Sequence, residues 1–130
     1  MIVIDASVAA NMLIYADERG RKARAVLARD PEWAAPEHWT AEVFSVVRAL
    51  TLGRKVTLDQ ANRAIGLLPR FGVDHVSLEG LLPRMWDLRS EISGYGAGYV
   101  ALAEARQLAL VTSDARLARA ATRHCRVELV

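Results

Sequence analysis

The chain contains a single cysteine, Cys125, so it has no internal disulfide framework and no cysteine-built zinc site, and this usage suits a reducing cytoplasm. Long apolar runs are missing too. The opening stretch Met1-Ile2-Val3-Ile4 stops at an acid, too short for the core of a signal peptide, and no apolar run reaches the roughly 18 residues of a membrane span, so neither secretion nor a membrane is indicated. The three histidines, His38, His75 and His124, lie far apart with no HxxxH spacing, which argues for structural or surface roles. Gly94, Gly96 and Gly98 make a glycine-rich stretch, but a helical segment precedes it and no Gly-Lys-Ser/Thr follows, which argues against a phosphate-cradling loop of the dinucleotide or P-loop kind. No block of basic residues dominates either: 17 Lys and Arg stand against 15 Asp and Glu, spread along the chain, for a net charge of +2. That excess is a weak pointer to an acidic partner such as RNA, and the basic set is nearly all arginine, whose planar fork suits phosphate.

What is present fits one domain over residues 1–130, with 52% hydrophobic and 25% charged residues. Strand-like and helix-like segments alternate. The apolar start predicts a strand, followed by a helix over Ala6–Ala16, a polar break at Asp17–Gly20 and a second helix over Arg21–Arg29. Trp33–Ala35 is a short strand closed by Pro36, and Thr40–Leu52 an amphipathic helix stopped by Gly53, with Glu42 in its first turn. Thr57 three residues before Gln60 is a capping-box pattern that opens a further helix, ended by Pro69. A strand is predicted at Val73–Val76, a helix at Leu78–Ile92, a loop at Ser93–Tyr95 leading into a helix through Arg106, a strand at Leu108–Thr112, a helix at Ala115–Arg123 and a last strand at Val127–Val130. Such alternation implies a parallel sheet covered on both faces by helices.

Two acids stand in equivalent places in that scheme. Asp5 follows the first strand and Asp114 follows the Leu108–Thr112 strand, at the carboxyl edge where open α/β sheets bind ligands. Glu42, soon after the Trp33–Ala35 strand, can point to the same edge. Each acid also suits the capping of the helix it precedes, and sequence alone leaves both roles open. Carboxylates that converge repel one another unless a cation neutralises them, and hard oxygen donors suit Mg²⁺ or Mn²⁺, which activate water and stabilise charge on a phosphoryl oxygen. Phosphodiester hydrolysis is the chemistry such a cluster serves.

MIVIDASV at the start, Ala41-Glu42-Val43, SGYGAGYVALAE from Ser93 to Glu104 and LVTSDARLARAA from Leu110 to Ala121 together resemble the PIN domain, and more narrowly the VapC toxins of bacterial type II toxin-antitoxin systems. The resemblance runs in order along essentially the whole chain, and it is most specific from Tyr99 to Asp114. It implies a PIN-like three-layer α/β/α sandwich with a central parallel sheet. It also implies a metal-dependent endoribonuclease that uses Mg²⁺ or Mn²⁺, acts on transfer or ribosomal RNA, forms a homodimer and is restrained by a cognate VapB-like antitoxin. The family's first, second and fourth acids fall on Asp5, Glu42 and Asp114, which would be catalytic and metal-binding. Ser7, Thr112 and Ser113 fall on supporting polar positions, where ordinary capping is the competing role.

The family's third acid is absent. Its Tyr-Asp-Ala becomes Tyr95-Gly96-Ala97, so the metal position at Gly96 carries no side chain. Glu104, eight residues on and about 12 Å along the helix, is a poor substitute, and Glu91 precedes the loop. Gly96 is compatible with an introduced change that disarms a toxic nuclease, with a natural weakened nuclease, or with a non-catalytic PIN module that binds RNA or antitoxin. Arg19, Arg21, Lys22 and Arg116 are candidates for RNA phosphate contacts, with a solvated helical face as the competing role. The apolar stretches Trp39–Phe44 and Ala61–Leu68 offer partner surfaces, although most of their side chains suit the core.

Overall fold

The computed structural model describes residues 1–130 and contains five short strands, β1 (Ile2–Ile4), β2 (Trp33–Pro36), β3 (Val73–Val76), β4 (Leu110–Thr112) and β5 (Val127–Leu129). All pair in parallel, in the order β3-β2-β1-β4-β5. The central strands are apolar and buried but for Thr112, a buried hydroxyl at the end of β4, and the half-buried Ile2: Val3, Ile4 and Leu110 have no exposed surface. The helices are α1 (Ala6–Ile14), α2 (Glu18–Leu27), α3 (Trp39–Leu52), α4 (Leu58–Leu67), α5 (Leu82–Asp87), α6 (Gly94–Arg106) and α7 (Ala115–Ala121), with a 3₁₀ turn at Leu68–Arg70.

Chain order fixes which face each helix covers. From β1 the chain moves outward to β2 and β3, then crosses back to β4 and on to β5. Right-handed crossovers made in opposite directions place α1–α4 on one face and α5–α7 on the other, giving three layers. The reversal between β1 and β4 opens a crevice at their carboxyl ends, and Asp5 and Asp114 are the residues that leave those ends.

Helix α6 is the most enclosed element, with every residue from Gly96 to Ala103 buried. It packs against α5 on one side and β1, β2 and β4 on another, which is why its sequence is rich in Gly and Ala and shows little sidedness. The Thr57–Gln60 capping box at α4 forms as its spacing predicts. Most boundaries fall within two residues of the sequence reading, including α6, which begins at Gly94 inside the expected Ser93–Tyr95 loop, and two helices differ by more. Helix α2 begins at Glu18, inside the expected polar break, because Asp17 accepts a hydrogen bond from the Arg19 amide and caps it. The helix expected over Leu78–Ile92 shrinks to α5, since Gly80 and Pro83 confine it: proline is tolerated in the first turn and not further in.

The end of α1 is held from outside. Arg24 in α2 donates Nη1 to the carbonyls of Met12 and Tyr15, at 3.0 and 2.9 Å. This approach depends on Gly20, because a Cβ there would lie 1.7 Å from the Tyr15 carbonyl oxygen. Gly20→Ala must push α2 away from α1 and is expected to cost about 1–3 kcal/mol, read as a lower urea midpoint with unchanged slope; an unchanged midpoint would show that the two helices separate freely.

Candidate functional site

The β1–β4 crevice is organised around one carboxylate. Asp5 ends β1, caps α1 through the Val8 amide (3.1 Å to Oδ1), and is only 3% exposed. The Ser7 hydroxyl donates to it, with Oγ 2.8 Å from Oδ1 and 2.9 Å from Oδ2, and Thr112 Oγ1 donates to Oδ2 at 2.6 Å. Thr112 sits at the end of β4 and also accepts the Asp114 amide at 2.9 Å, while the Ser113 amide donates to Ser7 Oγ at 2.9 Å. Ser7 and Thr112 thus support Asp5 with their hydroxyls, whereas Ser113 contributes through its backbone and its own Oγ is buried without a partner.

Asp114 caps α7, its Oδ1 accepting from the Arg116 and Leu117 amides at 2.9 and 3.1 Å. Asp5 and Asp114 thus both cap the helices they precede, and both stand at the β1–β4 crevice. Glu42 reaches the crevice from the first turn of α3, and its Oε2 accepts the Tyr99 hydroxyl at 2.8 Å. Burial pushes the Asp5 carboxyl above its ordinary 3.8, opposed by Thr112, Val8 and Ser7, and the negative charge of Asp114 adds to the rise. Burial likewise raises Glu42 above 4.5, with the charges of Asp5 and Asp114 acting in the same direction. The three acids therefore share one electrostatic neighbourhood. No lysine or arginine forms an ion pair with any of them.

Their donor chemistry fits a hard divalent cation, which would supply the missing positive charge. Their arrangement is incomplete, since no group of three or more His, Cys, Asp or Glu side chains is placed to hold a metal ion. Asp5 spends both oxygens on hydroxyl and amide donors, and Asp114 spends one on its helix. Position 96 offers no carboxylate. A Cβ there would meet Ile92 Cγ2 at 2.8 Å, Leu117 Cδ1 at 3.0 Å and Ser93 Oγ at 3.0 Å, so side chains already occupy the space. Neither other acid takes its place: Glu104 is held by Arg84 at 2.8 and 3.0 Å, and Glu91 faces His124 and Arg123 at 3.5 and 3.9 Å.

Tyr99 and His38 belong to the crevice although the residue pattern did not single them out. Tyr99 is buried, and burial together with the Glu42 charge drives its phenol far upward, so it stays a donor. The His38 ring lies 5.0 Å from the Tyr95 ring and 5.1 Å from the Tyr99 ring, with Nδ1 3.9 Å from Glu42 Oε2. Both its ring nitrogens are buried without hydrogen-bond partners, and burial lowers its pKa from 6.5. Gly98 makes room for it, since a Cβ there would come within 2.7 Å of Nε2. The one signal available beforehand was the four-residue spacing of Tyr95 and Tyr99 on one helix face.

Of the basic candidates, Arg19 pairs with Asp17 at 2.7 Å, while Arg21 and Lys22 pair with Glu18 at 3.0 and 3.6 Å. Arg116 follows Asp114 and is exposed beside it.

The PIN domain family model matches residues 2–123. Ribonuclease VapC9 of Mycobacterium tuberculosis is 34% identical over 130 residues, spanning 100% of this chain and 98% of that protein. Ribonuclease VapC3 of the same organism is 35% identical over 119 residues, 92% of this chain and 86% of that one. Among solved structures, Mycobacterium tuberculosis VapC20, a sarcin-ricin loop cleaving toxin, superposes with a TM-score of 0.70 over 92% of this chain and 95% of that one at 19% identity. FitAB bound to a DNA fragment gives a TM-score of 0.69 over 99% and 94% at 18% identity. At those identities the superpositions speak for the fold alone.

Thr112→Val is expected to remove about 1–3 kcal/mol of stability, because it takes the shorter of two hydroxyl donors from a buried carboxylate oxygen and leaves the Asp114 amide without its acceptor; a thermal melt identical to wild type would show that water replaces the hydroxyl. The raised carboxyls of Asp5 and Glu42 have a definite pH signature. Folded, they hold protons more tightly than unfolded, so their contribution is complete below 3.8 and 4.5 and is lost as pH climbs through the raised folded values. His38, lowered from 6.5, acts in the opposite direction. Subtracting the Tm profile of Asp5→Asn/Glu42→Gln from that of the metal-free wild type from about pH 4 upward should therefore leave a difference that falls with rising pH; a difference flat from there to about pH 8 would contradict the raised carboxyls.

Proposed function

The chain belongs to the PIN domain family, and from that footing we propose that it is a VapC-type toxin descended from, and built as, an RNA-cleaving hydrolase, with its active edge at Asp5, Glu42 and Asp114. The observation that carries this reading is the placement of three carboxylates, free of lysine or arginine partners, at the β1–β4 switch point. Asp5, Glu42 and Asp114 would hold Mg²⁺ or Mn²⁺, and such an ion supplies an activated water and charge stabilisation at a phosphoryl oxygen. The chain's own groups do the positioning. Ser7 and Thr112 fix the Asp5 carboxylate, and Tyr99 fixes Glu42 so that its Oε1 lies outside that hydrogen bond. The capping bonds of Asp114 leave its Oδ2 in the same position.

Gly96 weakens this machine in our reading, because the edge lacks the carboxylate that would complete the donor set. A second reading is favoured by the same observation together with the packing of Ile92 and Leu117 into that space: a PIN module that binds RNA or antitoxin without cutting. We propose a VapB-like antitoxin and a second copy of the chain as partners. The exposed Phe44 and Ile65 offer surface for such contacts, whereas Trp39, Val43, Ala61 and Ala64 of the same stretches are core. No helix is long and apolar enough to cross a membrane.

Total bacterial RNA incubated with the chain or with Gly96→Asp, each in Mg²⁺, Mn²⁺ or EDTA, separates the readings. Cleavage gained with the aspartate and lost in EDTA is the expected result. Cleavage by neither protein would move the assignment to the binding module, and cleavage that persists in EDTA would remove the metal from the proposal.

A further inference from the structure

An acidic edge repels a phosphate chain, so an RNA strand can lie against Asp114 only where nearby cations outweigh the acids. The arginines that follow the first helix do not supply them, since Arg19, Arg21 and Lys22 are each matched by Asp17 or Glu18. A different set stands free. Arg89, Arg116 and Arg119 take part in no ion pair, and Arg116 and Arg119 are exposed.

These three side chains line one groove. A cavity of about 460 Å³ is bounded by Arg89, Ser93, Asp114 and Arg116, and a second of about 370 Å³ by Arg116, Arg119 and Arg123. Ser90, Glu91, Arg116 and Ala120 border both, so the two form a single channel that starts at Asp114 and follows α7 outward. Arg116 and Arg119 are three apart on α7, and Arg123 follows in the turn just past its end. Arg89 faces them from the turn after α5 and is already oriented: Nη1 donates to the Trp86 carbonyl at 2.9 Å, and Cζ lies 4.5 Å from the centroid of the Trp86 ring. Besides Asp114, Glu91 is the acid along the channel, and Arg123 stands 3.9 Å from it.

We propose that this channel seats the RNA backbone, with phosphates on one side of the scissile bond held by Arg116, Arg119 and Arg89. The assignment rests on the ribonuclease reading of the acidic edge and adds to it the path of the strand. Guanidinium forks pair with phosphate oxygens, and contacts of this kind set register without reading sequence. The channel's continuity with Asp114 is what favours RNA over an acidic protein segment.

Fluorescence anisotropy of a labelled single-stranded oligoribonucleotide, measured in EDTA across a salt titration, tests the path without relying on cleavage. Each phosphate contact on a single strand contributes about 0.7 to the slope of log K against log salt, so Arg116→Gln/Arg119→Gln should lower the slope by about 1.4. The charge-preserving pair Arg116→Lys/Arg119→Lys should keep it. Binding by wild type with the same slope in the glutamine pair would overturn the channel alone. No binding by wild type would overturn the channel and the ribonuclease reading together. Loss of affinity for a polyglutamate peptide, with RNA binding untouched, would reassign the channel to an acidic protein partner and overturn it as well.

Discussion

A carboxylate buried at the centre of a sheet is the constraint on which the rest of this molecule depends. Asp5 is enclosed on all sides, and an ionised carboxyl in such a place survives only if every lone pair it presents is met. Its donors come from one strand and one helix: Ser7 and the Val8 amide from α1, Thr112 from β4. The same hydroxyls hold the amides of Ser113 and Asp114, so meeting the needs of Asp5 also sets where the second acid stands. Register between β1 and β4, the starts of α1 and α7, and the spacing of the acids are thus a single network.

That network explains the tension in the site. Donors that make Asp5 tolerable also occupy the oxygens that a metal would use, and the helix amides do the same for one oxygen of Asp114. A fourth carboxylate would shift the balance towards a cation, and at position 96 there is none. Ile92 and Leu117 fill the space instead, so a side chain introduced there must displace apolar packing as well as add charge. The crevice gathers negative charge, and hydrogen bonds within the chain already engage much of it.

Much of this was legible in the sequence. Alternating apolar runs and helical periods gave the order of elements, and the placing of two acids at one edge could be read from their positions after two strands, because a parallel sheet puts all strand ends of one kind on one edge. The helix over Leu78–Ile92 misled because apolar spacing continues across Gly80 and Pro83, and only backbone geometry stops it. Arg19, Arg21 and Lys22 looked like free cations because ion pairing over two to four residues depends on rotamers that spacing does not fix. Tyr99 read as part of a helix motif, and its bond to Glu42, 57 residues away, exists only once α3 and α6 are packed on the sheet.

The site is also divided in time. Asp5 is synthesised 107 residues before Thr112, where its partner strand ends, and the second acid follows at Asp114. At about 5–20 residues per second, a growing chain spends several seconds with Asp5 exposed and unsupported. Any fragment that stops short of residue 112 lacks both the donor and the second carboxylate. The support of Asp5 and the placing of the second acid are therefore gained together, only after residue 114 has been made.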